Sequence, residues 1–340
     1  MTQVTVVGSY PRIGDRLSEQ KHRKAIDKLD KEQISWQKFE KIENEVTREV
    51  ILEQIRLGVN LPSDGQIRWG DTVAYIMRGF QGCTINGLVR YFDTNTYYRQ
   101  PVIHEKLSYL TPLLVRDFQF AQKVAGKVPI KLILTGPYSL ARLSKDQWYQ
   151  DQRKLVWELA GYLNQELTVL IKSGARFIEI DEPSLLSNPE DSLLWSKGIE
   201  MMTHGLKGVY FSLYLSYGNI SGVWNEVLQL PVDELAIDLT IGHPNGVMLH
   251  RTKVNKKICA GVVSARNTLM EKEKELVEHL KKIQQTLGEN LTAISPNYSL
   301  EFLPRDTARE KLKLLKKVAQ KIGTARKGVQ YETRKRKLHV

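Results

Sequence analysis

Residues 176–183 read RFIEIDEP, an apolar run that is followed directly by two acids and a proline. The run Arg176–Ile180 is short and rich in isoleucine, which is typical of a strand buried on both faces. The preceding segment, Gln147–Ser173, has the apolar spacing of a helix. A buried strand that follows a helix predicts a parallel sheet, because parallel neighbours must be joined by a crossover connection.

The same alternation recurs on both sides of this stretch. Further strand-like runs are Val4–Val7, Val59–Leu61, Ile130–Thr135, Val209–Tyr214, Glu234–Leu239, Lys257–Val262 and Leu291–Ile294. Further helix-like segments are Trp36–Leu57, Lys106–Ala125, Met270–Leu287 and Arg305–Ile322. Serial βα units of this kind predict an α/β fold, a single (β/α)8 TIM barrel. The glycines and alternating apolar residues between Gly79 and Ile103 predict a β-hairpin insertion near residues 79–103.

A doubly wound open sheet is the alternative architecture. Such sheets usually carry a GxGxxG turn after the first strand. Here that turn reads GSYPRIG, residues 8–14, which lacks the spacing. The turn therefore favours the barrel.

Composition excludes several classes of protein. The chain has 340 residues, of which 41% are hydrophobic and 26% charged, as in an ordinary globular protein. Neither a membrane-spanning run nor a signal peptide is predicted. Two distant cysteines, Cys83 and Cys259, predict no disulfide framework and favour the cytoplasm.

The net charge of +12 is concentrated partly at the C-terminus. We expect a barrel over residues 1–325 and a basic tail over residues 326–340. A basic tail permits a hypothesis of an RNA-associated protein. Binding of nucleic acid is nevertheless not favoured, because the aromatic residues do not interleave with the basic run as a base-stacking surface requires.

The candidate site lies where the predicted strands end, as in other barrels of this type. Asp181 and Glu182 are candidates for acid–base catalysis or for binding an ammonium group. The structural alternative is that one acid caps the following helix while the other pairs with an arginine from a neighbouring strand. Other candidate substrate-binding residues at strand ends are Ser9, Arg12, Asp64, Gln66, Tyr214, Ser216 and Asn267. Because no predicted strand end carries Cys or His, no zinc site is predicted.

Seven motifs in order carry a resemblance to a known family. They are GSYPRIG (8–14), LPSDG (61–65), RYFDTNTYY (90–98), LTGPYSL (134–140), IEIDEPSL (178–185), AGVVSARN (260–267) and SPNYSLEFLP (295–304). Together they resemble cobalamin-independent methionine synthase. The long form of that family has a C-terminal barrel that binds zinc and homocysteine and an N-terminal barrel without zinc that helps hold the folate donor. This chain is more similar to the zinc-less barrel, over about Val4 to Lys321.

The resemblance implies which residues replace the zinc ligands of the family. Those positions are occupied here by Gln66, Tyr214, Ser216 and Tyr298. It therefore implies a chain without a cofactor, with zinc only in a separate partner barrel and with methyl-folate or methyl-pterin as the bound donor. It also implies that basic residues after the first strand contact the anionic tail of the donor; the candidates are Arg12, Arg16 and Lys21. Ser9 and Asp181 match positions that hold the substrate amino acid.

A second hypothesis remains open. The chain is then an independent, metal-free enzyme on the same fold that uses strand-end carboxylates on a small acid or a pterin. Barrels host many reactions, so the fold alone does not separate the two hypotheses.

Overall fold

The computed structural model describes residues 2–251 and 254–323. The basic tail predicted for residues 326–340 lies outside the described residues. The strands are β1 (Gln3–Val4), β2 (Phe80–Arg90), β3 (Tyr97–Tyr109), β4 (Lys131–Thr135), β5 (Lys145–Asp146), β6 (Phe177–Asp181), β7 (Tyr210–Leu215), β8 (Glu234–Asp238), β9 (Lys257–Val263) and β10 (Leu291–Pro296).

Helices alternate with these strands. They are α1 (Lys21–Asp30), α2 (Trp36–Arg56), α3 (Thr72–Met77), α4 (Val115–Ala125), α5 (Pro137–Leu143), α6 (Gln152–Lys172), α7 (Ser192–Thr203), α8 (Trp224–Gln229), α9 (Asn245–Arg251), α10 (Glu273–Leu287) and α11 (Arg305–Ile322). Among the described parts of the chain, no helix is both long and apolar enough to cross a membrane.

The strands form a mostly parallel, curled sheet. Seven of them are hydrogen-bonded in the order β1-β10-β9-β8-β7-β6-β4, and every pair in this order is parallel. The segment 59–62 lies between the two ends of this order. Leu61 forms a parallel bridge with Thr5 beside β1, and the Lys131 amide of β4 donates to the Pro62 carbonyl at 2.8 Å. The order of βα units thus gives the α/β fold that the sequence predicts.

A hairpin of β2 and β3 is inserted between segment 59–62 and β4, and together with β5 it forms a second, smaller sheet in the order β2-β3-β5. Its strands β2 and β3 pair antiparallel, with Phe80 opposite Tyr109 and Arg90 opposite Tyr97. The prediction of a helix over Lys106–Ala125 is wrong at its start, because β3 continues to Tyr109 and α4 begins at Val115. The physical reason is pairing: cross-strand partners on β2 hold residues whose local spacing alone also fits a helix.

The predicted helix Gln147–Ser173 begins later than expected. Asp151 is the N-cap of α6, and its side chain accepts hydrogen bonds from the amides of Arg153 and Lys154. A carboxylate in this position satisfies amides that have no partner within the helix, so the helix starts after it.

The interior of the sheet contains a layer of buried charged and polar side chains, here called the charged layer: Lys131, Glu179, Ser212, Glu234 and Thr292. The Lys131 ammonium lies 2.5 Å from Glu179. Glu234 accepts hydrogen bonds from Ser212 Oγ at 3.0 Å and from Thr292 Oγ1 at 2.6 Å. Each carboxylate in this layer therefore has partners, as burial of a charge requires.

Candidate functional site

A cavity opens at the C-terminal ends of the parallel strands. Its non-atom space is about 620 Å³, a figure that includes open solvent at the mouth. Its walls are formed by Gly8, Ser9, Arg12, Gln66, Gly70, Asp71, Thr72, Tyr91, Thr96, Tyr97, Tyr98, Asp181, Tyr214, Ser216, Tyr217, Ser299, Glu301 and Phe302. Six of the residues predicted from sequence line it, namely Ser9, Arg12, Gln66, Asp181, Tyr214 and Ser216.

Asp181 is the last residue of β6, and its side chain is directed into this cavity. The carboxyl oxygen Oδ1 is buried and has no hydrogen-bond partner within residues 2–251 and 254–323. Burial, together with the nearby carboxylates of Glu179 and Glu182, raises the pKa of Asp181 well above its usual value. A buried acceptor without a partner is costly unless something binds to it. Asp181 is therefore available for a ligand.

Ser216 gives the cavity a second buried polar atom without a partner. The residue is 2% exposed, and its Oγ has no hydrogen-bond partner among the described residues. The neighbouring Tyr214 differs, since its hydroxyl donates to the Asn297 carbonyl at 2.9 Å. Asp181 and Ser216 thus leave two polar groups available to a bound molecule.

Glu182 does not line the cavity. Its carboxylate accepts hydrogen bonds from the amides of Tyr138 at 3.1 Å and Ser139 at 2.8 Å, at the start of α5. Burial raises the pKa of Glu182 to about 7, against the effect of the hydrogen bonds from Ser139 and Tyr138. Glu182 therefore caps a helix, as the structural alternative expected of one acid, but the helix is α5, which precedes β6 in the chain, and not the helix that follows.

The basic residues predicted to contact an anionic tail are all paired within the chain. Arg12 lies at the cavity wall but forms an ion pair with Glu301 at 2.7 Å. Arg16 is 3.8 Å from Asp306. Lys21 lies on α1, 2.5 Å from Glu49 and 3.4 Å from Glu45. Arg16 and Lys21 lie outside the cavity walls.

Two further predicted residues also lie elsewhere. Asp64 lines a separate small cavity with Asp117 and Trp69. Burial raises the pKa of Asp64 to about 6. Asn267 is exposed and donates to Ser264 Oγ at 3.2 Å. The structure thus separates both residues from Asp181.

Sequence reasoning missed the aromatic part of the cavity wall. Tyr91 and Tyr217 lie with their ring centroids 5.9 Å apart and their planes at 86°. Phe92 stacks on Tyr217, with centroids 4.5 Å apart and planes at 6°. Tyr217 directly follows the predicted fifth strand end, so its position was a usable signal. Tyr91 reaches the cavity only because the inserted hairpin folds over it.

Backbone strain is concentrated at this cavity. Five described residues other than glycine have positive φ, and three of them are Gln66 (52°), Phe92 (51°) and Tyr217 (58°). Gln66 and Tyr217 line the cavity, and Phe92 stacks on Tyr217. Strained residues of this kind cluster at functional sites.

Comparisons with known proteins agree with this architecture. Residues 2–321 match the family model described as "Cobalamin-independent synthase, Catalytic domain". The chain belongs to the cobalamin-independent methionine synthase family. It is 32% identical over 319 residues to a methionine synthase of Saccharolobus solfataricus, covering 91% of each chain. It is 29% identical over 310 residues to a methionine synthase of Sulfurisphaera tokodaii, covering 91% of this chain and 88% of that one.

Solved structures show the same fold. A B12-independent methionine synthase from Shewanella sp. W3-18-1 superimposes with a TM-score of 0.82 at 18% identity, covering 95% of this chain and 98% of that one. A putative B12-independent methionine synthase from Listeria monocytogenes has a TM-score of 0.77 at 16% identity, covering 93% and 96%. The family assignment places the chain among methyltransferases of methionine biosynthesis with a TIM-barrel-like fold.

The zinc that the resemblance implies for the family does not fit the side chains at the positions that the resemblance assigns to its ligands. Gln66, Tyr214, Ser216 and Tyr298 provide neither thiolate nor imidazole, the ligands that zinc favours. Three of them also have internal hydrogen bonds: Gln66 accepts from Ser9 Oγ, Tyr214 donates to Asn297, and the Tyr298 hydroxyl accepts the Tyr217 amide. Over residues 2–251 and 254–323, no group of three or more His, Cys, Asp and Glu side chains is placed to hold a metal ion.

Proposed function

We propose that this chain is the donor-binding, zinc-less subunit of a two-chain methionine synthase. It binds methyl-folate or methyl-pterin in the cavity at the strand ends, and it pairs with a separate zinc barrel that activates homocysteine. In this proposal the sheet is a closed (β/α)8 barrel, in which segment 59–62 is the second strand and the hairpin is an insertion. The barrel is most similar to the zinc-less half of the long enzymes. Two free cysteines, Cys83 and Cys259, are consistent with a cytoplasmic location.

The observation that carries the proposal is the pair of unsatisfied polar groups between aromatic walls. A pterin ring is flat and presents an amino group and a ring N–H side by side. Asp181 loses its proton when the ring binds and then accepts both as a carboxylate, and charge-assisted hydrogen bonds of this type are strong. Tyr91 and Tyr217 line the same cavity, and aromatic side chains pack well against a flat ring. The cavity therefore has the polar groups and the aromatic lining expected of a site for the head of the donor.

The absence of a thiol-activating group supports the need for a partner. A free thiol has a pKa of about 8.5, and coordination to zinc is the family's means of deprotonating it. The residues at the four ligand positions do not replace that function, because none is a base with an accessible lone pair near neutral pH. Methyl transfer then requires a second chain that supplies the thiolate.

A reconstitution assay tests the proposal. Methyl transfer from 5-methyltetrahydrofolate and from a methylated pterin to homocysteine is measured with this chain alone, with a zinc-type barrel from the same source alone, and with both. We expect transfer with both chains, and at most slow transfer with the zinc barrel alone. The matched control is the same mixture containing Asp181→Asn.

Each other outcome has a defined meaning. Rapid transfer by this chain alone contradicts a non-catalytic role. Equal rates with and without this chain contradict a donor-binding role. Binding of a small acid or a pterin and its turnover without homocysteine favours the independent-enzyme hypothesis, for which the uncommitted carboxyl group of Asp181 is the one supporting observation.

A further inference from the structure

The turn that joins β2 to β3, residues 91–96, lies over the cavity. Tyr91 and Thr96 at its two ends line the cavity wall. The hairpin precedes β4 in the chain, yet its turn contacts residues that follow β7 and β9. In the sheet order these strands are two and four positions from β4. The turn therefore spans the mouth of the cavity from one side to the other.

Three contacts hold the turn on the far side of the mouth, and the first is the edge-to-face contact of Tyr91 with Tyr217. Phe92 stacks on Tyr217, which follows β7, with ring centroids 4.5 Å apart. Asp93 forms an ion pair at 2.7 Å with Arg266, which follows β9. The Arg266 guanidinium also lies 5.1 Å from the centroid of the Tyr298 ring. Phe92, Asp93, Tyr217 and Arg266 are here called the latch.

Both stacked residues of the latch have a left-handed backbone. The φ angles are 51° at Phe92 and 58° at Tyr217. This conformation is unfavourable for bulky side chains and persists only where surrounding contacts enforce it. Since each ring is the packing partner of the other, loss of the stack would release strain on both sides. The latch thus combines a half-buried ring stack and an ion pair that is largely exposed at Asp93 with a backbone that favours opening.

The turn is held together by its own backbone hydrogen bonds, and a bulge in β2 separates it from the rest of the hairpin. The Tyr91 amide donates to the Thr96 carbonyl at 2.9 Å, and the Thr94 amide donates to Tyr91 at 3.2 Å. The pairing of β2 with β3 is irregular between Asn86 and Val89, around Gly87, which has a φ of 61°. Bulges bend a strand locally. The turn is therefore built to move as one unit about the bulge at Gly87.

We propose that residues 91–96 form a lid over the cavity, which the latch holds shut and which pivots at the Gly87 bulge. Opening of the lid widens the access of a ligand to Asp181 and Ser216. The inference rests on the proposed function for the identity of the ligand, whereas the movement of the lid is a property of this chain alone.

Hydrogen exchange of the full chain without ligand tests the lid directly. Breaking the exposed ion pair with Asp93→Asn is expected to speed exchange of the amides of residues 92–96 by up to about fivefold. Adding Phe92→Ala, which removes the ring stack, is expected to bring the increase to about tenfold or more. Exchange in β6 is expected to stay at the wild-type rate. The control Arg99→Gln removes a charge from the same hairpin outside the latch and is expected to change neither.

A charge swap separates a latch from a general loosening of the hairpin. Asp93→Arg combined with Arg266→Asp restores opposite charges and is expected to return exchange toward the wild-type rate. Unchanged exchange of residues 92–96 in the Asp93→Asn/Phe92→Ala variant overturns the proposal. The proposal is also overturned if the amides of residues 92–96 exchange as fast in the double swap as in Asp93→Arg alone or Arg266→Asp alone.

Stopped-flow binding of 5-methyltetrahydrofolate supplies the second readout. Opening the latch is expected to raise the association and dissociation rate constants together by a similar factor, so that Kd changes less than either rate. The lid proposal is overturned if the Asp93→Asn/Phe92→Ala variant has the association and dissociation rate constants of the wild type. If no variant binds this probe while exchange of the turn still responds to the latch, the donor assignment fails and the lid stands.

Discussion

Glu179 and Asp181 are two residues apart on β6, so their side chains leave the strand on the same face. Glu179 lies in the charged layer, 2.5 Å from Lys131, and also accepts the Gly8 amide at 3.4 Å. Asp181 lies one step further along the strand, at the cavity, where its Oδ1 has no partner. The same chemical group is thus saturated at one level and left unsatisfied at the next. The difference indicates that the fold ends, and the binding site begins, between these two residues.

The neighbouring strand β7 repeats the contrast with serines. Ser212 Oγ donates to Glu234 in the charged layer at 3.0 Å. Ser216, just after the same strand, has a buried Oγ without a partner. On both adjacent strands, the polar side chain inside the strand stabilises the fold, and the polar side chain at the C-terminal end is available to a ligand. The position between the two is here called the boundary. Variants on either side of that boundary should act on different measurements.

The largest expected effect is on the free energy of unfolding of Lys131→Met. This variant leaves Glu179 buried without its cation, which typically costs about 3–5 kcal/mol. Denaturant unfolding measures the loss. The double variant Lys131→Met/Glu179→Gln is the matched control and is expected to recover much of it. A loss below about 1 kcal/mol in the single variant would mean that Glu179 is already neutral in the folded chain.

Asp181→Asn should weaken binding of the donor without weakening the folded state. A hydrogen bond to a charged group contributes about 1.5–3 kcal/mol, so loss of the carboxylate should weaken donor binding roughly tenfold to a hundredfold. Calorimetric titration with 5-methyltetrahydrofolate measures this effect. Wild-type affinity in the variant would remove Asp181 from the binding site and break the comparison with Glu179.

The dependence of stability on pH supplies an independent check on Asp181. Because burial and the nearby carboxylates of Glu179 and Glu182 raise the pKa of Asp181 in the folded chain, the folded chain holds a proton that the unfolded chain releases above about pH 4. The contribution of Asp181 to stability therefore falls as pH rises from about 4 through its folded pKa. Asp181→Asn should unfold at higher denaturant concentration than wild type at pH 7, and the two should converge near pH 3–4. A constant difference across this range would mean that Asp181 does not titrate as described.

The strand ends of this site could be predicted from the sequence because they depend on local alternation. Ser9, Gln66 and Asp181 each follow a buried apolar run, and parallel strands bring such residues to one edge of the sheet. The partners of these residues could not be predicted in this way. Arg12 and Glu301 are paired although 289 residues separate them. Glu182 caps a helix that begins more than 40 residues earlier in the chain.

The hairpin shows the same limit more clearly. Its glycines and alternating residues predict two paired strands, but they do not indicate which part of the folded molecule the turn contacts. Tyr91 enters the cavity wall through contacts with Tyr217, a residue that local pattern does not relate to it. The aromatic wall was therefore missed, although the motif that contains Tyr91 was recognised.

The smallest expected effects come from the two serines, and they test the boundary most directly. Ser212→Ala removes a hydrogen bond to Glu234 and should cost about 1–2 kcal/mol of unfolding free energy, with donor affinity unchanged. Ser216→Ala removes a buried hydroxyl without a partner, so stability should stay within about 0.5 kcal/mol of wild type or rise. Its donor affinity should fall by about twofold to tenfold. Denaturant unfolding and calorimetric titration of the two variants side by side measure both quantities. Equal losses of stability would show that Ser216 has a partner in the folded chain, such as an ordered water, and would move the boundary above it. If Ser212→Ala loses stability and Ser216→Ala loses donor affinity, the middle of β7 stabilises the fold and its C-terminal end binds the ligand.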